Sequence, residues 1–206
     1  GVLGAIIGGR LGYMFFFGIE QIFADPLSIL RIWEGGLSFH GGFIGVLISF
    51  FIFSKKLNIS FFDLADHIAL AFPIGLGFVR IGNFLGGELL GRPTDLPWGM
   101  IFWSDPLQIS RHPSQLYQAF FEGVVLFTIL NLLVIKPKPK IFISGMFLAL
   151  YGSFRIFTEI FRMPDSHIGF DFLDIITRGQ LLSTPMVIIG LLLIFLSYRN
   201  KNETIS

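Results

Sequence analysis

A bilayer core takes about 20 mostly apolar residues per helix. Six blocks of this chain reach or approach that length: 1–19, 36–53, 64–87, 114–135, 141–161 and 179–198. Between the first two lies a shorter apolar run, 22–33, which contains Asp25, Pro26 and Arg31. It is too short to span and reads as an amphipathic segment lying at the membrane interface. The pattern predicts an all-α, polytopic membrane helix bundle with six spans and irregular loops, built as one transmembrane domain over 1–206.

Composition agrees with that pattern. Of 206 residues, 53% are hydrophobic and only 14% are charged, where a soluble domain has about a quarter. The net charge is +1, which carries no nucleic-acid footprint. Cysteine is absent, so no disulfide, zinc–thiolate site or thiol nucleophile belongs to these residues. The four histidines are scattered, none at ligand spacing to another, and no metal or cofactor is expected. The sequence opens at Gly1 inside an apolar run, as a chain lacking an earlier segment would.

Orientation follows from lysine and arginine in the loops. Lys55 and Lys56 follow the second block, Lys136, Lys138 and Lys140 the fourth, and Arg199 and Lys201 the sixth. Those loops are expected to be cytoplasmic, as is the C-terminus. Loops 20–35, 88–113 and 162–178 hold no lysine and more acids than arginines, so they are expected to face outward. They are also the longer loops and rich in Gly, Pro, Asp and Arg, which places the chemistry toward the outer face.

Ionisable residues inside spans are costly and point to function by default. In "GVLGAIIGGRLGYMFFFG", Gly4, Gly8 and Gly12 bare one helix face for close packing. Arg10 and Tyr13 lie elsewhere on that helix, and Arg10 reads equally as a structural ion pair or a substrate contact. In "WEGGLSFHGGFIG", His40 stands between two glycine pairs. It reads either as a histidine hydrogen-bonded between helices or as a proton-transfer group near its ordinary pKa of about 6.5. In "LGFVRIGNFLGGELLGRPTDLPWG", Arg80 and Asn83 share a helix face, and Glu88 and Arg92 follow a glycine break. A guanidinium beside a carboxamide suits a phosphate or carboxylate. Pro73, Gly75 and Gly77 are expected to interrupt that helix. In "RHPSQLYQAFFEG", Ser114 is a candidate helix cap, while Glu122 needs a cation from another helix, with Arg80, Arg10 and Arg155 as candidates. In "YGSFRIFTEIFR", Arg155 and Glu159 are spaced i and i+4, either as a simple intrahelical pair or as part of a site.

Taken together, "WEGGLSFHGGFIG", "RIGNFLGGELLGRPTDLPWGM", "RHPSQLYQAFFEG" and "YGSFRIFTEIFRMPD", in this order, resemble the bacterial prolipoprotein diacylglyceryl transferase family. The likeness runs over about residues 1–198. The family signature, G-R-x-G-N-F-x-N-x-E-x-x-G, is matched at Arg80, Asn83, Glu88 and Gly91. It departs at Val79, where glycine is usual, and at Gly86, where asparagine is usual. The resemblance implies a seven-helix protein of the bacterial cytoplasmic membrane whose first helix lies outside this sequence, with its site toward the outer leaflet. It implies transfer of diacylglyceryl from phosphatidylglycerol to the lipobox cysteine of a prolipoprotein signal peptide, releasing glycerol phosphate. On that reading Arg80, Asn83, Glu88 and Gly91 hold the lipid, Arg155 is a second cation oriented by Glu159, and His40 is the base for the thiol. Glu88 and Glu122 position the arginines or the glycerol hydroxyls, with Arg10 and Tyr13 supporting.

Two other classes compete. An anion or lipid transporter with an arginine-lined path would show internal repeats in its two halves, and the glycine-rich stretches do not recur in register. A non-catalytic lipid-binding scaffold would not need His40.

Overall fold

The computed structural model describes residues 1–16, 18–163, 170–172 and 176–203. Most of the predicted outer loop 162–178 therefore lies outside the described residues. The chain forms two compact units, Gly1–Leu64 and Ala65–Ser206.

In the first unit, helix α1 (Val2–Phe16) packs antiparallel against α3 (Phe39–Leu57). The contact is made by bare backbone. A Cβ on Gly8 would lie 2.9 Å from Gly45 Cα, and one on Gly12 would lie 2.8 Å from Gly41 Cα. The glycine spacing in α1 thus serves the close packing expected of it. Ser38 caps α3, accepting from Gly41 N at 3.3 Å, and Asn58 in the left-handed region ends it.

The linking segment 19–36 contains α2 (Ile19–Ala24) and two 3₁₀ turns, Pro26–Leu30 and Ile32–Glu34. Its large apolar side chains Phe23, Leu27, Leu30 and Trp33 are exposed. Arg31 bonds Asp25 at 2.6 Å and Glu34 at 2.8 Å, and this guanidinium holds the Asp25 carboxyl below its ordinary pKa.

The second unit is a helix bundle. Helix α4 (Phe61–Leu85) enters it from the first unit. The next helix runs from Ser114 to Leu133 in three parts: α5 (Ser114–Gln118), a π segment (Ala119–Val125) and α6 (Leu126–Leu133). Then come α7 (Phe142–Glu159) and α8 (Arg178–Glu203), which pack tightly through Gly145, Gly152 and Gly190. Ala69, Leu126, Leu130, Phe142 and Ile143 form the apolar core. At this end of the bundle Asp66 accepts from both Ser144 N (2.8 Å) and Ser144 Oγ (2.6 Å), capping α7 from another helix.

Among the described residues, three helices are long and apolar enough to cross a membrane: Phe61–Leu85, Ser114–Leu133 and Gly179–Arg199. The protein is an all-α, multi-pass membrane helix bundle. Helix α4 runs unbroken through Pro73, Gly75 and Gly77, so the expected interruption does not occur. It ends where the glycine pair begins. Gly87 adopts φ +64°, and Glu88 N reaches back to Asn83 O at 2.8 Å, a terminus that glycine supplies without strain.

Segment 88–113 has more order than an irregular loop. Strand β1 (Met100–Ile101) pairs antiparallel with β2 (Ser110–Arg111). Residues 90–94 lie extended between two partners. On one side Arg92 N bonds Phe161 O (2.9 Å) and Met163 N bonds Leu90 O (3.0 Å). On the other, His112 N bonds Arg92 O and Thr94 N bonds Ser110 O, both at 3.0 Å. The end of α4 is thereby tied to the end of α7. Buried Arg111 clamps buried Asp105 through Nε (2.8 Å) and Nη2 (3.0 Å), and Nη1 reaches Gly91 O at 3.2 Å. Arg111 holds the Asp105 carboxyl below its ordinary pKa, aided by the Leu107 and Ile109 N–H groups. A short antiparallel pairing of β3 (Phe170–Phe172) with β4 (Ile176–Thr177) precedes α8.

Candidate active site

The site is set by a backbone contact. Helix α4 crosses the π segment at Gly77 and Gly123, both buried. A Cβ on Gly123 would lie 2.9 Å from Gly77 Cα, so no other residue fits without parting the helices. Arg80 is one turn beyond Gly77, and Glu122 adjoins Gly123. The crossing brings Arg80 Nε to 3.0 Å from Glu122 Oε2.

A π turn inserts one residue into the helix and is found often at functional sites. The extra residue turns the following face by about 100° relative to an unbroken α-helix. Glu122 lies within it and faces inward, with its side chain fully buried.

Three further contacts extend the pair into a chain of charges. Arg155 Nη1 is 3.7 Å from Glu122 Oε1, and its Nη2 is 3.0 Å from Glu159 Oε2. Glu159 Oε1 is 3.7 Å from Arg162 Nη1. Gly179, at the start of α8, leaves room for Glu159, since a Cβ there would lie 2.7 Å from its carboxyl carbon. The Tyr151 phenol stands among the same charges, close enough to interact with Glu122, Arg80 and Arg155. The order is Arg80–Glu122–Arg155–Glu159–Arg162, three cations and two anions. Only Arg80 (13%) and Arg155 (11%) keep more than a tenth of their side chains exposed.

Arg80, Glu122, Arg155 and Glu159 are therefore brought together, and Glu122 has both Arg80 and Arg155 as partners. Asn83 Nδ2 donates to Glu88 Oε2 at 2.9 Å, one turn beyond Arg80. Gly91 is buried, bridged to Arg162, and a Cβ there would fall on the His112 carbonyl. Ser114 does not cap its helix; its hydroxyl donates to Leu89 O at 3.3 Å.

Arg10 and Tyr13 belong to the first unit. Arg10 is buried and donates to backbone carbonyls: Nη2 to Ser28 O at 2.6 Å, Nε to Ile29 O at 3.3 Å, and Nη1 to Gly35 O. These contacts tie α1 to the linking segment and go to carbonyls rather than to an acid. Tyr13 lies against Gly36, with the Arg10 guanidinium 6.0 Å from its ring centre. His40 sits in the first turn of α3; its side chain lies outside the described ones.

Sequence reasoning missed Arg162. Its spacing of three residues from Glu159 was a signal, although Arg162 lies in the turn beyond the end of α7 rather than on the helix. The Asp105–Arg111 clamp left no such signal, since nothing in a loop fixes which acid an arginine will meet.

Residues 1–196 match the family model described as prolipoprotein diacylglyceryl transferase. The chain is 52% identical over 199 residues to the phosphatidylglycerol–prolipoprotein diacylglyceryl transferase of Pseudomonas syringae pv. syringae, covering 96% of this chain and 74% of that protein. It is 54% identical over 190 residues to the protein so named in a Marinomonas species (92% and 71% covered). It is 51% identical over 198 residues to that of Teredinibacter turnerae (96% and 69%).

Proposed function

The chain belongs to the prolipoprotein diacylglyceryl transferase family, and from that premise we propose that its buried arginine–glutamate chain is where the lipid donor is held and cleaved. The enzyme transfers a diacylglyceryl group from phosphatidylglycerol to a prolipoprotein, the first step of lipoprotein maturation. The acceptor is the thiol of the lipobox cysteine. Its sulfur attacks the glyceryl carbon that carries the phosphate. A carbon–sulfur bond forms, the carbon–oxygen bond breaks, and glycerol phosphate leaves with the bonding pair. The thiol proton passes to a base.

The observation that carries this reading is the pair of arginines that share one buried carboxylate, Glu122, and still reach the surface. Arg155 Nη1, 3.7 Å from Glu122 Oε1, has no hydrogen-bond partner. A phosphodiester lying against both guanidiniums would be held by charge-assisted bonds. Negative charge grows on the phosphate as the carbon–oxygen bond breaks, and fixed guanidiniums in a low-dielectric site stabilise that growth best. Arg80 and Arg155, the members that reach the surface, contact the phosphate. Glu122 holds both in place, and Glu159 holds Arg155. Asn83 and Glu88 sit one turn beyond Arg80, where the head group extends. His40 is the base by residue type, since a thiol of pKa about 8.5 needs help to ionise.

The lysine-rich short loops support a cytoplasmic C-terminus in the bacterial inner membrane, with segment 88–113 on the outer side.

The test is direct. Full chain in membranes is incubated with phosphatidylglycerol and a lipobox peptide, and the peptide is weighed by mass spectrometry. The expected result is one added diacylglyceryl group on cysteine. Arg80→Ala should abolish the gain while the protein remains inserted; full activity would remove Arg80 from the site. His40→Asn at near-normal turnover would exclude the base role.

A further inference from the structure

Gln115 and Gln118 lie three residues apart on one face of α5, and both side chains are completely buried. Gln115 Nε2 donates to the Glu88 carbonyl at 2.6 Å. Asn83 Nδ2 donates to the Glu88 carboxylate at 2.9 Å. Both partners are oxygens that only accept, so neither amide can be turned over to present its own oxygen there. Asn83 Oδ1 and Gln115 Oε1 are the atoms left over, and both are buried without a hydrogen bond. Gln118 goes further, for neither Nε2 nor Oε1 has a partner. One helical turn on, about 6 Å along the axis, stands Glu122 with its arginines.

Buried polar atoms are almost always hydrogen-bonded, and each exception calls for a cause. Here three neighbouring carboxamides leave three oxygens and one NH₂ group unmatched. Oxygens of this kind want O–H or N–H donors, and the NH₂ wants an acceptor. A pair of adjacent hydroxyls satisfies both demands at once. Beside Glu122, Arg155 Nη1 likewise lacks a hydrogen-bond partner and suits an anion. One molecule that offers a phosphate with a vicinal diol a few bonds away is a glycerol phosphodiester.

We propose that Asn83, Gln115 and Gln118 form a hydroxyl-reading subsite for the head-group glycerol of the donor lipid, with Gln118 as its specificity-determining residue. The subsite rests on the phosphatidylglycerol reading above. Asn83 and Gln115 accept from the hydroxyls, and Gln118 both donates and accepts. The lipid reaches these sealed atoms past Arg80 and Arg155, where the charge chain meets the surface. The released glycerol phosphate carries the same diol, so it should compete for the same atoms.

The test compares two donors in full-chain proteoliposomes: phosphatidylglycerol, and phosphatidylpropanol, whose head group lacks both hydroxyls. The wild type should prefer phosphatidylglycerol at least about tenfold in kcat/KM, because unmatched buried groups reject a donor that cannot pair with them. Gln118→Met should lower the phosphatidylglycerol rate about tenfold and leave the phosphatidylpropanol rate within about twofold, so the preference collapses. Its thermal midpoint should hold or rise, since an apolar side chain of similar shape replaces an unpartnered one. Free glycerol phosphate should inhibit the wild type more strongly than the variant; equal inhibition of both would restrict the subsite to lipid and overturn the competition. Equal loss on both donors, or a lowered thermal midpoint, would make Gln118 structural and overturn the subsite. Equal wild-type rates on both donors would do the same while leaving the transferase intact, whatever the variant does. No thioether from either donor would bring down the phosphatidylglycerol reading itself.

Discussion

Glu122 answers two arginines from a side chain with no exposure, at 3.0 Å to Arg80 and 3.7 Å to Arg155. Removing one partner of a buried pair leaves the other charge uncompensated, which costs about 3–5 kcal/mol. Glu122→Ala should therefore destabilise the protein by about that amount, read by denaturant titration in detergent micelles. It should also end transfer. A loss within the range of a surface substitution would mean that the two arginines find other acceptors. The residues of this pair were legible in the sequence because charges inside apolar blocks stand out. Their pairing was legible only as a set of three candidates for Glu122. What decides among candidates is a helix crossing, and its angle and height are not written in any one stretch. Gln118 was invisible for the opposite reason: a carboxamide near a helix start reads as ordinary polarity until its missing partners are counted.

At the scale of elements, six helices follow the six apolar blocks, and the glycine pair at 86–87 ends α4 as its residue types demand. The π segment over Ala119–Val125 was not legible, because its residues suit an α-helix equally and tertiary contacts choose the wider turn. Its neighbour contact is testable. Gly123→Ala adds a Cβ at 2.9 Å from Gly77 Cα, an overpacking that costs about 1–3 kcal/mol. It should also separate Arg80 from Glu122 and lower kcat/KM at least about tenfold. Unchanged kinetics would show that the charge chain tolerates a wider crossing. In segment 88–113 the sensitive element is the Asp105–Arg111 clamp. Asp105 has a lowered pKa in the folded protein, so its contribution is fully present above the unfolded carboxylate value of about 3.9. That contribution is lost as pH falls through the lower folded value. Hydrogen exchange at the Leu107 and Ile109 amides, corrected for intrinsic rates, should hold steady from pH 7 to about 5 and quicken only in stronger acid. In Asp105→Asn that acid step should be absent; a step near neutrality would point to another group.

Across the whole molecule, the lack of cysteine makes topology simple to read, since any introduced thiol is the only one in these residues. A membrane-impermeant maleimide should label Trp103→Cys, at an exposed site, from outside intact spheroplasts, and Lys138→Cys only after lysis. The reverse pattern would invert the protein and move the proposed site to the inner leaflet. The same scale gives the crossing of α4 and the π segment a practical meaning. In a saturation screen scored by lipoprotein maturation, positions 77, 91 and 123 should rank with Arg80 and Glu122 as intolerant of every replacement. None of these three glycines has a side chain to donate, accept or ionise. Such a map would draw the active site several residues too wide, and only a second score, for folded protein in the membrane, would sort the groups that do chemistry from the gaps that let them meet.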